Sequence, residues 1–197
     1  IMPSLVGSEM CIRDSLWRIH SRAGSVHVAM RVFRPTRIRA IAHAMNSTLV
    51  IRPPTRDDFA DWKPLWDGYN AFYEREGPTA LPDAITQATW QRFFDAYEPV
   101  HALVAEHEGR LVGLTHYLFH RSTTRIEPTC YLQDLFTLPS LRGQGVGRRL
   151  IEGVYERAAQ AGAKRVYWQT HETNLAGQRL YDKVADRSGF IVYAKNV

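Results

Sequence analysis

The stretch Tyr131-Leu132-Gln133-Asp134-Leu135-Phe136-Thr137-Leu138-Pro139-Ser140-Leu141-Arg142-Gly143-Gln144-Gly145-Val146-Gly147-Arg148-Arg149-Leu150 constrains this chain more than any other. An apolar run enters a glycine-rich turn, and an amphipathic helical pattern starts directly after it. The first amides of a helix have no intrahelical partners, and the helix dipole adds partial positive charge there. Glycines let the backbone approach an anion, and Arg142, Arg148 and Arg149 add formal charge. Together these features point to a bound phosphate or diphosphate. The plainer alternative is a turn whose glycines serve sterics alone. Two nucleotide motifs fail here: there is no Gly-Lys-Ser/Thr, and Gly143 and Gly145 are followed by Arg148 where a dinucleotide fingerprint needs its third glycine.

The remaining pattern reads as α/β. A β-branched run at 48–52 is closed by Pro53-Pro54 and predicts a strand. Thr55 with Asp57 and Asp58 predicts a helix start. Aromatics at three- and four-residue steps (Phe59, Trp62, Trp66, Tyr69, Phe72, Tyr73) put one helical face over 59–76, read as core packing, with Pro64 at a start or kink. A second helix is expected over 83–97. Apolar runs at 101–107 and 111–119 flank Glu108-Gly109-Arg110, a hairpin signal. An Arg/Ser/Thr loop, a strand at 130–137, a helix over 146–161 ended by Gly162, a strand at 166–169, a helix over 175–186 and a last strand at 190–194 complete the order. With 45% hydrophobic and 23% charged residues the chain can build a sizeable core. No apolar run approaches the roughly 18 residues of a membrane span.

The net charge of +5 suggests nucleic acid until it is located. Residues 1–44 hold seven arginines against two acids, which is the whole excess; the remaining 18 bases and 18 acids balance. The peptide Ser4-Leu5-Val6-Gly7-Ser8-Glu9-Met10-Cys11-Ile12-Arg13-Asp14 resembles translated sequencing-adapter DNA. Residues 1–44 are therefore expected to be a non-native or disordered leader, with the domain over 45–197. An arginine-rich targeting segment and a true extension stay open as alternatives. No nucleic acid or membrane partner is expected. Two cysteines make no disulfide framework, and a cytoplasmic setting is expected.

Arg142-Gly143-Gln144-Gly145-Val146-Gly147 resembles the Arg/Gln-x-x-Gly-x-Gly/Ala signature of the GCN5-related N-acetyltransferases (GNAT), over roughly 48–197. A second motif agrees: Asn174, Ala176, Leu180-Tyr181-Asp182-Lys183 and Gly189-Phe190. The segments 167–174 and 190–193 look most like the histone/polyamine acetyltransferase branch. The resemblance implies a mixed central sheet of six to seven strands flanked by about four helices, with a splayed strand pair holding acetyl-CoA. It implies that Leu135, Phe136 and Thr137 run along the pantetheine arm and acetyl group, and that Asn174 binds the same arm. It further implies that Arg142, Gly143, Gln144, Gly145, Val146, Gly147 and Arg148 hold the diphosphate.

The implied reaction is direct attack of a neutral primary amine on the thioester, the acceptor being a polyamine, another small amine or a lysine side chain. An alkyl ammonium has a pKa near 10.4, so only about one part in a thousand is nucleophilic at neutral pH. A base must take the proton and an acid must meet the thiolate. Tyr181 matches the family's general-acid tyrosine. Gln133 stands where related polyamine enzymes carry an acid. Asp134 remains, but adjacent strand residues face opposite sides, so it does not simply replace Gln133. Asp134 and Glu172 are candidates for base or amine recognition, with structural hydrogen bonds as the alternative. Glu74, Glu76 and Asp67 lie where the family admits substrate. The histidines, His116 and His171 among them, show no metal-ligand spacing, and Cys130 reads as a buried strand residue. A catalytically silent acyl-CoA-binding module is the rival function. The branch also implies a possible homodimer through 190–193.

Overall fold

The computed structural model describes residues 49–197, so the expectations for 1–44 and for the start of the first strand lie outside the described residues. Five strands form one sheet, ordered as in the chain: β1 (Leu49–Arg52), β2 (Val100–His107), β3 (Arg110–Ser122), β4 (Arg125–Thr137) and β5 (Val166–Tyr167). The first three junctions are antiparallel and β4–β5 is parallel. A parallel junction needs a crossover, and helix α3 (Val146–Gln160) supplies it. Helices α1 (Phe59–Phe72) and α2 (Asp83–Arg92) lie between β1 and β2, and α4 (Leu175–Tyr181) follows β5. This is the expected α/β fold with a mixed sheet and four α-helices among the described residues.

The period-2 alternation of the strands divides the core in two. Leu103, Val112, Cys130 and Leu132 pack under the apolar stripe of α3, formed by Val146, Leu150, Ile151, Val154 and Ala158. Val104, Leu111, Leu114 and Phe136 pack on the other face against Trp62, Leu65, Trp66, Tyr69 and Trp90 from α1 and α2. Gly162 ends α3 in a left-handed conformation (φ 76°), with the Ala163 amide donating back to the Ala158 carbonyl at 2.9 Å.

One irregularity positions the site. In the β3–β4 ladder His116 pairs with Asp134 and Tyr117 with Leu132, which leaves Gln133 as an extra residue. This β-bulge resets the alternation. Unbroken alternation would put residues 132, 134 and 136 on one face. Instead Leu132 packs under α3 while Phe136 joins the aromatic core, and Asp134 goes with it beside His116.

Several expectations change. The sheet has five strands among the described residues rather than six to seven, because 190–194 forms no strand. Phe190, Ile191, Val192 and Tyr193 are exposed, and a strand needs a hydrogen-bonding partner, which the two-residue β5 barely offers. The Arg/Ser/Thr loop narrows to a two-residue hairpin turn, since Ser122 pairs with Arg125 and exposed Ser and Thr are compatible with a ladder. Pro64 sits inside α1, on its exposed side, where the carbonyl it leaves unbonded on Ala60 meets solvent. The helix predicted over 83–97 stops at Arg92, and the one over 175–186 stops at Tyr181. Turns after each satisfy the terminal carbonyls: the Phe94 amide bonds the Gln91 carbonyl and that of Ala185 the Tyr181 carbonyl.

Candidate active site

Strands β4 and β5 pair at only two positions, Cys130 with Val166 and Tyr131 with Tyr167. Beyond them β4 continues to Thr137 while the chain after β5 turns away, and the two edges part. A cleft of about 760 Å³ opens there, within the usual range of small-molecule sites. Leu132, Gln133, Leu135, Phe136 and Thr137 form one wall; Trp168, Gln169 and Asn174 face them. The turn before α3 closes one end, and Tyr69 and Phe72 of α1, with Tyr73 just after it, join Leu180 and Tyr181 of α4 in the lining.

At the turn, Gly143 and Gly145 have φ of 75° and 94°. A β-carbon would be strained at both although it would touch nothing within 4 Å. The backbone is therefore bare toward the cleft. Gly145 caps α3 with no side-chain hydrogen bond, and the first backbone bond there runs from the Arg149 amide to the Gly145 carbonyl at 3.0 Å. The Val146, Gly147 and Arg148 amides, the first of α3, are thus left for an anion. The charged lining residues are Arg142, Arg148, Arg179 and Lys183, with no Asp or Glu among them. Arg148 shares its charge with Glu152 at 3.6 Å, and the Arg142 guanidinium lies 6.0 Å from the Phe72 ring centre. These residues fit a diphosphate. Of the expected turn residues only Gln144 is off the lining; its amide donates to the Ser140 carbonyl at 3.2 Å and braces the turn.

At the other end, Tyr181 packs edge-on against Trp168, ring centres 5.4 Å apart. Burial, and then the nearby Tyr73, push its pKa up, opposed by a hydrogen bond with Thr170. A phenol so placed keeps its proton at neutral pH. Tyr69 is likewise pushed well above the usual phenol range, by burial first and then by the Asp134 charge and a hydrogen bond to it. Asp134 is buried and off the cleft lining, with its Oδ2 2.9 Å from His116 Nδ1. Asn174 lines the cleft but also caps α4: its Oδ1 accepts from the Gly177 amide at 3.0 Å and its Nδ2 donates to Thr170 Oγ1 at 3.0 Å. Glu172 is exposed on the loop and off the lining. Asp67 pairs with Lys63 at 2.8 Å, and neither it nor Glu74 or Glu76 lines the cleft.

Reading the sequence missed Tyr69, Phe72 and Tyr73 as cleft residues and His116 as the partner of Asp134. The first three were grouped with the aromatic stripe of α1. No sequence signal separated them from the core, because the exposure of Phe72 and Tyr73 is set by packing. No local signal marked His116, because its partner lies 18 residues away across a hairpin.

Comparison with known proteins agrees with this geometry. Residues 62–185 match the acetyltransferase (GNAT) family. The chain is 33% identical over 154 residues, 77% of its length, to the D-amino-acid N-acetyltransferase HPA3 of Saccharomyces cerevisiae, of which 93% is covered. It is 30% identical over 149 residues, 75% of its length, to the N-acetyltransferase YhfO of Bacillus subtilis, of which 97% is covered. In fold it is similar to the aminoglycoside N-acetyltransferase AAC(6')-Iy solved with CoA, with a TM-score of 0.64 at 18% identity, over 75% of this chain and 94% of that one. The match over most of the domain, with the glycine turn and the parted strands where such a fold needs them, shows that this chain belongs to the GNAT family and is an N-acetyltransferase with acetyl-CoA as its cosubstrate.

Proposed function

We propose that the acceptor is a small primary amine of amino-acid type, acetylated by direct attack on the thioester. The observation that carries this reading is that the cleft lining holds no carboxylate to receive a cationic amine. A polycationic amine finds no acidic partner in that lining, whereas an amino acid brings its own carboxylate. Arg75 supports the same class. Its guanidinium stands 5.7 Å from the Tyr69 ring centre and 5.4 Å from that of Tyr73, both cleft residues. Its Nε donates to Asn70 Oδ1 at 2.9 Å. The name of the yeast relative points the same way. Under this reading the histone/polyamine branch suggested by the strand motifs does not set the acceptor.

In the proposed mechanism the main chain of Leu135, Phe136 and Thr137 and the Asn174 side chain hold the pantetheine arm, and the turn 142–148 holds the diphosphate. Tyr181, kept protonated by burial, gives its proton to the departing sulfur. Bound acetyl-CoA supplies the activated acyl group. The test is CoA release by the purified chain against D- and L-amino acids, polyamines and lysine peptides. We expect kcat/KM for an amino acid at least about tenfold above that for any polyamine. A polyamine preference overturns the acceptor class. CoA binding without turnover on any amine favours the silent binding module instead. We also propose a cytoplasmic setting, supported by the two-cysteine composition. A homodimer is proposed too, supported by the exposed apolar run Phe190, Ile191, Val192 and Tyr193. A monomer by light scattering overturns the homodimer.

A further inference from the structure

Four buried or half-buried groups line up behind the aromatic wall of the cleft. The Trp62 indole, fully buried, has its Nε1 3.2 Å from His116 Nε2. An indole N–H can only donate, so His116 Nε2 accepts and the single imidazole proton sits on Nδ1. That proton points at Asp134 Oδ2, 2.9 Å away. His116 is 2% exposed and Asp134 7%. Asp134 stands near enough to Tyr69 that its charge, after burial, raises the Tyr69 pKa, and the Tyr69 ring is part of the cleft lining. The Thr115 hydroxyl ties the Asp134 carbonyl at 2.8 Å. The Asp134 charge reaches Tyr73 and Tyr131 as well, while Arg75 acts on Tyr69 and Tyr73 in the opposite sense. No lysine or arginine pairs with Asp134 among the described residues. Burying a carboxylate against neutral partners is unfavourable for stability alone, and the β-bulge at Gln133 is what turns this one inward toward Tyr69.

We propose that Tyr69, Asp134 and His116 form the proton-accepting relay of the transfer reaction, with Tyr69 as the catalytic residue that meets the amine and Asp134 and His116 as positioning residues behind it. As the neutral amine attacks, the C–N bond forms and the surplus proton on nitrogen passes to Tyr69 Oη, while the Tyr69 proton passes to Asp134. His116 keeps its Nδ1 proton and holds the carboxyl in place. The C–S bond breaks and the sulfur takes a proton from Tyr181. After product release Asp134 returns its proton through Tyr69 and Tyr181 regains one from solvent, so the cycle balances. This assignment answers the loss of an acid at Gln133: the base is not on the exposed side of the bulge but is reached through a phenol on α1.

The relay rests on the N-acetyltransferase reading above, and the wild-type chain separates the two. Wild type that binds acetyl-CoA by calorimetry but acetylates none of the amines overturns the reading and the relay with it. With wild-type turnover in hand, Tyr69→Phe, Asp134→Asn and the double variant are compared. We expect each single variant to lower kcat about 10²-fold, with acetyl-CoA affinity within about twofold of wild type. The double variant should be no slower than the worse single one, because groups acting as a unit are not additive. His116→Leu should lower kcat about tenfold, and His116→Asn, whose amide keeps a donor near the Nδ1 position, should restore most of it. Tyr69→Phe at wild-type kcat overturns the relay, as do losses that multiply in the double variant. Should Asp134→Asn fail to fold, Tyr69→Phe, which keeps the buried ring, decides alone.

Discussion

The two ends of the cleft are built in different ways. The turn end comes from one contiguous stretch, 142–148, and presents main-chain amides, two glycines with positive φ, and arginines. The tyrosine end draws on α1, β3, β4 and α4, and works through side chains whose partners are far away in sequence: His116 with Trp62 at a separation of 54 residues and with Asp134 at 18. Under the proposed mechanism the first end binds and the second reacts. Binding of a phosphate needs only local geometry and charge, whereas proton transfer needs groups from several elements within hydrogen-bond reach.

That division can be broken most sharply at Tyr181. Tyr181→Phe removes the proposed proton donor and keeps the ring against Trp168. We expect kcat to fall by at least about 10²-fold with acetyl-CoA affinity unchanged; an equal loss of affinity by calorimetry would merge the two ends. The converse test is Gly145→Val. At φ 94° a β-branched residue is strained, and acetyl-CoA affinity should drop by roughly tenfold or more while kcat at saturation stays within a few-fold. A large fall in kcat there would show that the turn also sets the reaction geometry.

A control lies away from both ends. Arg52 clamps Asp58 at 2.7 and 2.9 Å and Glu106 at 2.8 Å, tying β1 to the start of α1 and to β2. The Arg52 guanidinium first, with the Thr55 hydrogen bonds, lowers the Asp58 pKa from 3.8 to about 2. Its contribution is therefore present above about pH 4 and lost as pH falls toward 2. Asp58→Asn should lower unfolding stability by about 2 kcal/mol at neutral pH and flatten the acid limb of a denaturant-midpoint profile. Neither kcat nor acetyl-CoA affinity should move. The smallest effect is expected from Arg148→Ala. Arg148 is half exposed and already near Glu152, so acetyl-CoA affinity should fall only about three- to fivefold, with a shallower dependence on ionic strength. Loss of turnover would place Arg148 at the reacting end.

Much of the fold was legible because its signals are local. The apolar stripe of α3, the Gly162 stop and the Glu108-Gly109 hairpin are each written within a few residues, and all appear as expected. The strand expected at 190–194 carries the same kind of signal and still forms no strand, since a run of apolar residues specifies a strand only where an edge is free to pair. Asp134 shows the other limit. Alternation correctly said that it faces away from Gln133, but the bulge that sends Asp134 to the aromatic face depends on pairing with β3.

Sequence alone determined the α/β class and the glycine turn, because those properties depend on backbone conformation and short-range spacing, and the resemblance of that turn to a known signature pointed to the family and its cosubstrate. It also located the +5 charge in residues 1–44. Tertiary structure decided where β4 and β5 part, which face Asp134 takes, and that the end of an aromatic stripe becomes a wall of tyrosines. Those outcomes depend on register between strands and on packing across the sheet, where one extra residue in a ladder moves a carboxylate from the α3 face to the aromatic face.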